Sequence, residues 1–327
     1  MKNDTDQNIK GKNLSKRKYI LGAVFLLLLL TPVLVFVMFN SKSDPASEKI
    51  IREIAAEQLG KNPNDLTNED FAKIATLSLN GEELFDIKLL EKFTNLKVLE
   101  FHKINFPDDK VPKWMKILAR LGIFDLQERF TIDLSPIGNL HKLESLYIDE
   151  APVSNIKPLT SITSLKKLHL DKTQIKSLEP VKNLKNLKEL YLSGAQFYDL
   201  EPLRELTNLQ MLWIADVPVS DLEPIKGLTN LYNLSLQRTR VYDLEPIKNL
   251  KKLFGLALNH SQINNLETIK AFPNLQALYL DYTQISNLDP LKELKNLKGL
   301  SISNCPNITD EQVEDLQKAL PNLEIRR

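Results

Sequence analysis

The strongest constraint on the fold of this chain is a leucine that recurs at one fixed spacing. Eight positions carry it: Leu143, Leu165, Leu187, Leu209, Leu231, Leu253, Leu275 and Leu297. Each neighbouring pair is 22 residues apart, and a fixed period of about 20 to 50 residues is typical of stacked structural repeats. The chain is therefore predicted to be a solenoid, in which each unit packs on the units before and after it.

Within each unit, counted here from the recurring leucine as its first place, the spacing predicts a strand and then a short helical turn. In the unit of Leu165, Leu168 and Leu170 lie two residues apart and point to one side of a strand, whereas His169 points to the other side. Pro180 opens the next segment, where its fixed φ suits the first turn of a helix. Stacked units then form a parallel sheet on the inside of the curve and helical turns on the outside.

The repeat frame extends beyond the regular units. Counting back from Leu118 by 22 residues gives Leu96 and then Ile74, and the stretch 118–142 is interpreted as one longer, 25-residue unit. This frame predicts leucine-containing units over 74–296, followed by an atypical last repeat and a C-terminal cap over 297–327.

Both ends of the array are predicted to be covered by helices, as a solenoid requires. The segment 47–60 places apolar residues on one helical stripe and stops at Gly60. Residues 67–70 match a capping box that opens a second short helix. These features predict a helical N-terminal cap over 47–73, and residues 309–320 predict a helix over the last leucines.

The N-terminal region contains a long apolar stretch. Residues 19–39 include no charged side chain, and a helix of that length spans about 30 Å, the thickness of a bilayer core. A cleaved signal peptide is the alternative, but its apolar stretch is usually only about 7 to 15 residues. The favoured interpretation is a single uncleaved transmembrane helix. The basic segment 1–18 is then a cytoplasmic tail, 40–46 a linker, and the repeats are extracytoplasmic.

The units resemble the internalin type of bacterial leucine-rich repeat. The stretch 241–250 reads VYDLEPIKNL, which closely matches the consensus I-x-D-L-x-P-L-x-x-L. The resemblance covers roughly residues 47–327 and implies an α/β solenoid. That fold is a leucine-rich-repeat horseshoe with a parallel concave sheet and short convex helical turns. One departure is the ninth place, where Thr, Ala, Ser, Val or Cys replaces the asparagine of that family.

The composition and the motifs exclude several classes of function. With 43 basic and 42 acidic residues, the chain lacks the basic excess typical of nucleic-acid-binding domains. Its single cysteine, Cys305, permits neither an intramolecular disulfide nor a zinc site built from cysteines. Cys305 falls at the ninth place and is predicted to be a small buried turn residue.

No arrangement of residues predicts catalysis, a metal site or a cofactor. The histidines are scattered along the solenoid, and nucleophile and metal motifs are missing from the sequence. Asp149 and Asp171 occupy equivalent places on neighbouring strands and form a possible carboxylate pair. Two solvated acids near lysines are the favoured interpretation. The chain is therefore predicted not to be an enzyme.

The fifth place, in the middle of the concave strand, carries an unusual run of rings. Along the regular units it holds Tyr147, His169, Tyr191, Trp213, Ser235, Ala257, Tyr279 and Ser301. Aromatic side chains that the core does not need indicate recognition, although strand propensity alone also favours them. The predicted ligand-binding residues are Tyr147, His169, Tyr191, Trp213, Met211, Asp149, Asp171 and Tyr279.

These observations leave two classes of function. The favoured hypothesis is a recognition module that binds a protein or glycan of the cell envelope through the concave face. The alternative is a structural spacer or scaffold of the envelope without a specific ligand. A concave face of small polar side chains favours the spacer, whereas a run of rings favours recognition.

Overall fold

A computed structural model of the chain describes residues 44–79, 84, 86–104, 120 and 131–327. The predicted cytoplasmic tail and the apolar stretch 19–39 lie outside these residues. Within the described ranges, no helix has both the length and the apolar character to cross a bilayer. The longest helix there has 15 residues, which rise only about 22 Å. The expectation of a transmembrane helix and a single-pass membrane location is corrected accordingly, and the solenoid part of the fold prediction is confirmed.

Eleven described strands form one parallel sheet in the order of the chain. The strands β1 to β11 are Thr76–Ser78, Val98–His102, Ser145–Asp149, Lys167–His169, Glu189–Tyr191, Met211–Trp213, Asn233–Ser235, Gly255–Ala257, Ala277–Tyr279, Gly299–Ser301 and Glu324–Arg326. Leu168 pairs with Leu190, and Leu190 pairs with Leu212. Because each unit has the same length, each leucine contacts its equivalent in the next unit, and all three are fully buried.

Short 3₁₀ helices return the chain on the convex side. Their described bounds after the N-terminal cap are Lys88–Lys92, Ser135–Ile137, Lys157–Ser161, Glu179–Val181, Glu201–Leu203, Glu223–Ile225, Glu245–Ile247, Glu267–Ala271 and Asp289–Glu293. Pro180 is the second residue of its helix, where a missing N–H costs no hydrogen bond. The Asp243 side chain accepts from the Glu245 N–H at 2.8 Å. The Asp-Leu-Glu-Pro sequence therefore opens the convex turn.

Two polar positions stabilise each unit. At the last place, the Asn208 amide donates to the Lys185 carbonyl of the preceding unit at 2.8 Å, and asparagines at 186, 230, 274 and 296 repeat this bond. At the ninth place, the Thr173 hydroxyl donates to the Leu170 carbonyl of its own unit at 2.7 Å. Threonine thus closes the turn within the unit, and asparagine at the last place links unit to unit. Cys305 is buried at the ninth place, as predicted.

The described sheet departs from the 22-residue spacing between β2 and β3. Strand β2 pairs directly with β3, and Glu100 lies opposite Tyr147, 47 residues later in the chain. The described sheet therefore passes directly from β2 to β3.

Helices lie at both ends of the described repeats. Helix α1 covers Pro45–Leu59 and ends at Gly60, which adopts a left-handed φ of 61°. Helix α2, Asn68–Phe71, begins with the predicted capping box. Helix α3, Asp310–Ala319, begins with a second box. Strand β11, which follows α3 and extends the sheet, was not predicted.

We expect Leu234→Ala to lower the free energy of unfolding by about 2–5 kcal/mol, because Leu234 is only 2% exposed and fills the shared core. Ser235, expected from its place to face solvent, is itself only 3% exposed. Its hydroxyl has no hydrogen-bond partner among the described residues, so Ser235→Ala should cost little. Urea denaturation of both variants checks this, and equal losses would contradict the assignment of the two faces.

Acid should weaken the N-terminal cap through Asp70. The Lys61 ammonium at 2.8 Å, with Lys73 at 2.9 Å and the Thr67 N–H, holds the pKa of the buried Asp70 carboxyl far below its usual value. A depressed pKa contributes stability above the ordinary value near pH 4 and loses it as the pH falls further. We therefore expect Asp70→Asn to lower the melting temperature at pH 7 and to lose less stability than the wild type below pH 4.

The matched control is Asp65→Asn, which changes an exposed acid in the same cap. Thermal melts between pH 2.5 and 7 measure both variants. If Asp65→Asn lowers the melting temperature as much as Asp70→Asn does, the paired carboxylate is not what stabilises the cap.

Candidate ligand-binding face

Four rings at the fifth place stand side by side on the concave face. The sheet register pairs Tyr147 with His169, His169 with Tyr191, and Tyr191 with Trp213. Their ring centroids are 4.5, 3.9 and 5.2 Å apart along the series. These four residues are called the ring column below. The rings contact one another, so each ring covers part of its neighbour's surface, and that part is not accessible to a ligand.

The ring column ends differently on its two sides. At the N-terminal end, the His102 ring lies 6.0 Å from the Tyr147 ring, but His102 is opposite Asp149 at the seventh place, and Glu100 is the register neighbour of Tyr147. At the C-terminal end, Trp213 is 39% exposed, because the next strand carries only Ser235 at the fifth place. The contact of His102 with Tyr147 could not be predicted from the 22-residue spacing, because 47 residues separate the register partners of β2 and β3. Trp213 therefore presents the open end of the column.

Asp149 and Asp171 form part of a second column, at the seventh place. The Asp171 N–H donates to the Asp149 carboxylate at 3.1 Å, and the Ser193 N–H donates to the Asp171 carboxylate at 2.6 Å. Asn259 and Asp281 repeat the arrangement further along. Burial raises the pKa of Asp171, although the Ser193 N–H opposes this. Each acid caps the backbone of the next strand, so the geometry gives them a structural role rather than that of a catalytic pair.

His169 is enclosed between two rings and a carboxylate. Its side chain is 19% exposed, and its Nδ1 lies 3.9 Å from Asp149 Oδ2. His102 Nδ1 approaches the same Asp149 oxygen at 3.2 Å. Burial lowers the pKa of His169, and the charge of Asp149 only partly offsets that effect. His169 is therefore held in its neutral form more strongly than a free histidine.

The remaining predicted residues lie apart from each other. Met211, at the third place of its unit and the first residue of β6, lies beside the column with its sulfur 3.9 Å from the Tyr191 hydroxyl. Tyr279 lies three strands beyond Trp213, a separation of about 14 Å at the usual strand spacing. Tyr279 is 46% exposed. It therefore belongs to a different part of the concave face than the column.

A groove that the sequence analysis did not identify lies between Trp213 and Tyr279 and continues towards β11. It encloses about 860 Å³, within the range of about 300 to 1,000 Å³ typical of ligand sites. Its floor is made of small residues at the third and fifth places: Ser235, Gly255, Ala257, Ala277, Gly299 and Ser301. Small side chains at both places of consecutive units were visible in the sequence, but they were interpreted only as favouring a spacer.

Metal-ligating side chains form no cluster in the part of the chain that the structure describes. No group of three His, Cys, Asp or Glu side chains there could hold a metal ion.

We expect the stability of the protein to fall as the pH drops below about 6.5, the ordinary pKa of histidine. Because burial lowers the folded-state pKa of His169, its neutral form contributes stability above that value and loses it on protonation. His169→Tyr keeps a ring in the column, as Tyr147 and Tyr191 do, and should flatten the profile between pH 6.5 and 5. Exposed His141 provides the control His141→Tyr, and an equal flattening there would contradict the assignment. Chemical denaturation at each pH gives the measurement.

Comparisons with known proteins agree with this architecture. A family described as leucine-rich repeats (2 copies) matches residues 163–205 and 273–318, whereas no curated protein matches the sequence. The crystal structure of an internalin from Listeria monocytogenes is 27% identical with a TM-score of 0.73, and the match covers 88% of this chain and 78% of that one.

Two further structures extend the comparison. Internalin C2 from Listeria monocytogenes is also 27% identical, with a TM-score of 0.57 and coverage of 80% of this chain and 93% of that one. A plant peptide hormone receptor in complex with RGF2 is 19% identical over 77% of this chain and 47% of that one, with a TM-score of 0.53. This last likeness concerns the fold alone. The chain thus contains leucine-rich repeats and is similar to bacterial internalins.

Proposed function

We propose that this chain is a recognition module that binds a protein partner through its concave face. The observation that carries the proposal is the exposure of Trp213 and Tyr279 on either side of an open groove. The leucines beside them already fill the core, so the fold does not require large rings at these places. Tryptophan and tyrosine dominate the energetics of protein interfaces, and exposed apolar patches usually mark binding sites.

The likeness to other repeat proteins supports a protein as the partner. The plant peptide hormone receptor with the same fold is described in complex with RGF2, and a second plant receptor ectodomain is described in complex with an integrity factor. A curved parallel sheet offers a long surface without rearrangement of the core. A cell-envelope partner, a glycan ligand and the lack of enzymatic activity stay predictions.

The spacer remains the competing function, and one observation favours it. The rings of the column stack on each other at 3.9 to 5.2 Å, and such stacking stabilises a sheet without any ligand. Recognition is favoured because the stacking ends at Trp213, where an open face adjoins the groove.

We expect Trp213→Ala to weaken partner binding by about 2 kcal/mol or more, roughly 30-fold in Kd. The melting temperature should change little, because Trp213 lies outside the leucine core. Partners captured on the immobilised full chain are identified by mass spectrometry, and their affinities are then measured by biolayer interferometry. The matched control is Tyr242→Ala, which removes an exposed ring at the twelfth place. Trp114, the other tryptophan, lies outside the described residues and cannot serve.

Two outcomes oppose the proposal. If Trp213→Ala unfolds the protein and leaves the affinity of the remaining folded fraction unchanged, the ring column is structural and the spacer hypothesis is correct. If Tyr242→Ala weakens binding as much as Trp213→Ala, the partner does not use the concave face.

A further inference from the structure

We infer that the part of the groove between Trp213 and Tyr279 is an anchor pocket for one uncharged aromatic side chain on an extended peptide segment of the partner. This inference rests on the proposed function and deepens it, because it states which chemistry the partner presents. It is carried by the walls of the pocket, its floor, an unpartnered hydroxyl and the distribution of charge.

The two walls of the pocket are the rings of Trp213 and Tyr279, which differ in their neighbours. One face of Trp213 contacts the Tyr191 ring at a centroid distance of 5.2 Å, so the ring column supports it from behind and leaves the opposite face free. On the other side, Tyr279 has Ala257 and Ser301 as its register neighbours. The walls are about 14 Å apart, and an extended chain at about 3.3 Å per residue crosses that distance in about four residues.

The floor is low because side chains are missing where other units carry long ones. Position 255 is a glycine and position 277 an alanine, at the place that holds Met211 in β6. A Cβ atom on Gly255 would lie 2.3 Å from the Asn233 side-chain oxygen, so glycine lets the Asn233 amide lie across the strand. With Ala257 at the fifth place, the sheet backbone comes close to the surface here.

The hydroxyl of Ser235, the register neighbour of Trp213, has no hydrogen-bond partner among the described residues. Ser235 is 3% exposed, and its strand position directs it to the concave face. The equivalent Ser301 differs, because its hydroxyl donates to the Asp281 carboxylate at 2.6 Å. A buried hydroxyl without a partner is costly, and a peptide amide passing over Ser235 would supply the missing hydrogen bond.

The charge distribution selects the occupant. The side chains that line the pocket between the two walls are uncharged, and the charged lining residues, Asp281, Glu324 and Arg326, lie at or beyond the strand of Tyr279. A basic, acidic or phosphorylated side chain would lose hydration there without gaining an opposite charge. A sugar would find hydrogen-bond partners in the amide side chains of Asn233, Gln237 and Asn259, so it is the competing occupant and forms one arm of the test. An uncharged aromatic side chain on a peptide loses no charge hydration and can stack on the ring walls.

The test uses the full chain with labelled alanine methyl groups and three small probes. N-acetyl-L-phenylalaninamide presents the proposed side chain and two amides, N-acetyl-L-lysinamide presents a charged side chain, and methyl α-glucoside presents a sugar. We expect saturable shifts of the Ala257 and Ala277 methyl signals with the phenylalanine probe at millimolar concentration. The other two probes should give at least tenfold weaker binding. Equal or tighter binding of either one, or the absence of saturable shifts with the phenylalanine probe, would overturn the proposal.

Ala257→Tyr should fill the pocket and weaken the binding of the phenylalanine probe at least tenfold. The shift of the Ala277 methyl signal measures that binding. The fifth place of other units already holds tyrosine, so the backbone accommodates it. Ser220→Tyr is the matched control, because it adds the same ring at the exposed twelfth place, where Tyr198 and Tyr242 stand in neighbouring units. Unchanged binding in folded Ala257→Tyr would contradict the pocket.

A second variant that fills the pocket keeps the test decisive if Ala257→Tyr does not fold. Ala277→Met places in β9 the residue that β6 carries at the same place, and its effect is followed by the Ala257 methyl signal. If Trp213→Ala weakens the binding of a captured partner but neither filling variant does, the recognition function stands and the anchor-pocket proposal is wrong. If Trp213→Ala leaves that partner unaffected, the proposed function itself fails.

Discussion

The whole structure depends on the burial of each unit's leucines by the neighbouring units. Leu168, Leu190 and Leu212 lie in one register and are all fully buried, yet none of them is covered by its own unit alone. In the regular units this requirement is met by a constant 22-residue spacing, which places each leucine beside its equivalent in the next unit. The parallel sheet, the 3₁₀ turns and the asparagine bonds at the last place all follow from that register.

The same requirement leaves the concave face free of the core. Third and fifth places point away from the leucines, so their side chains vary without loss of the hydrophobic contacts. Large rings at four consecutive fifth places give the ring column, and small residues at the next two give the groove. A change of side-chain size along one line of the sheet thus creates both a supported aromatic wall and the space beside it. This is how a repetitive scaffold acquires a distinct site.

The regular part of the fold could be predicted from spacing because each element follows from a short pattern. The strands, the capping box at Thr67 and the burial of Cys305 are examples. The direct pairing of β2 with β3 could not be predicted, because their register partners are 47 residues apart and not 22. The apolar stretch 19–39 led to a membrane-spanning expectation, but the described helices are too short and too polar to meet it.

The candidate site was harder to predict than the fold. Spacing placed the rings on one line, but the contacts between them depend on side-chain rotamers that spacing does not determine. The burial of Ser235 arises from its surroundings in the folded sheet, and its own place in the strand predicted exposure. The groove results from missing side chains in several units together. A search for large residues alone does not detect it.

The central claim is that the partner binds the concave face beside the ring column, and site-specific photo-cross-linking tests it most directly. A photoreactive phenylalanine derivative at Tyr279 lies on the concave face, and the same derivative at Tyr242, which is 64% exposed, lies at the twelfth place, outside the concave strands. The account predicts a covalent adduct with the partner from position 279 and none from position 242. An adduct formed only from position 242 would contradict it.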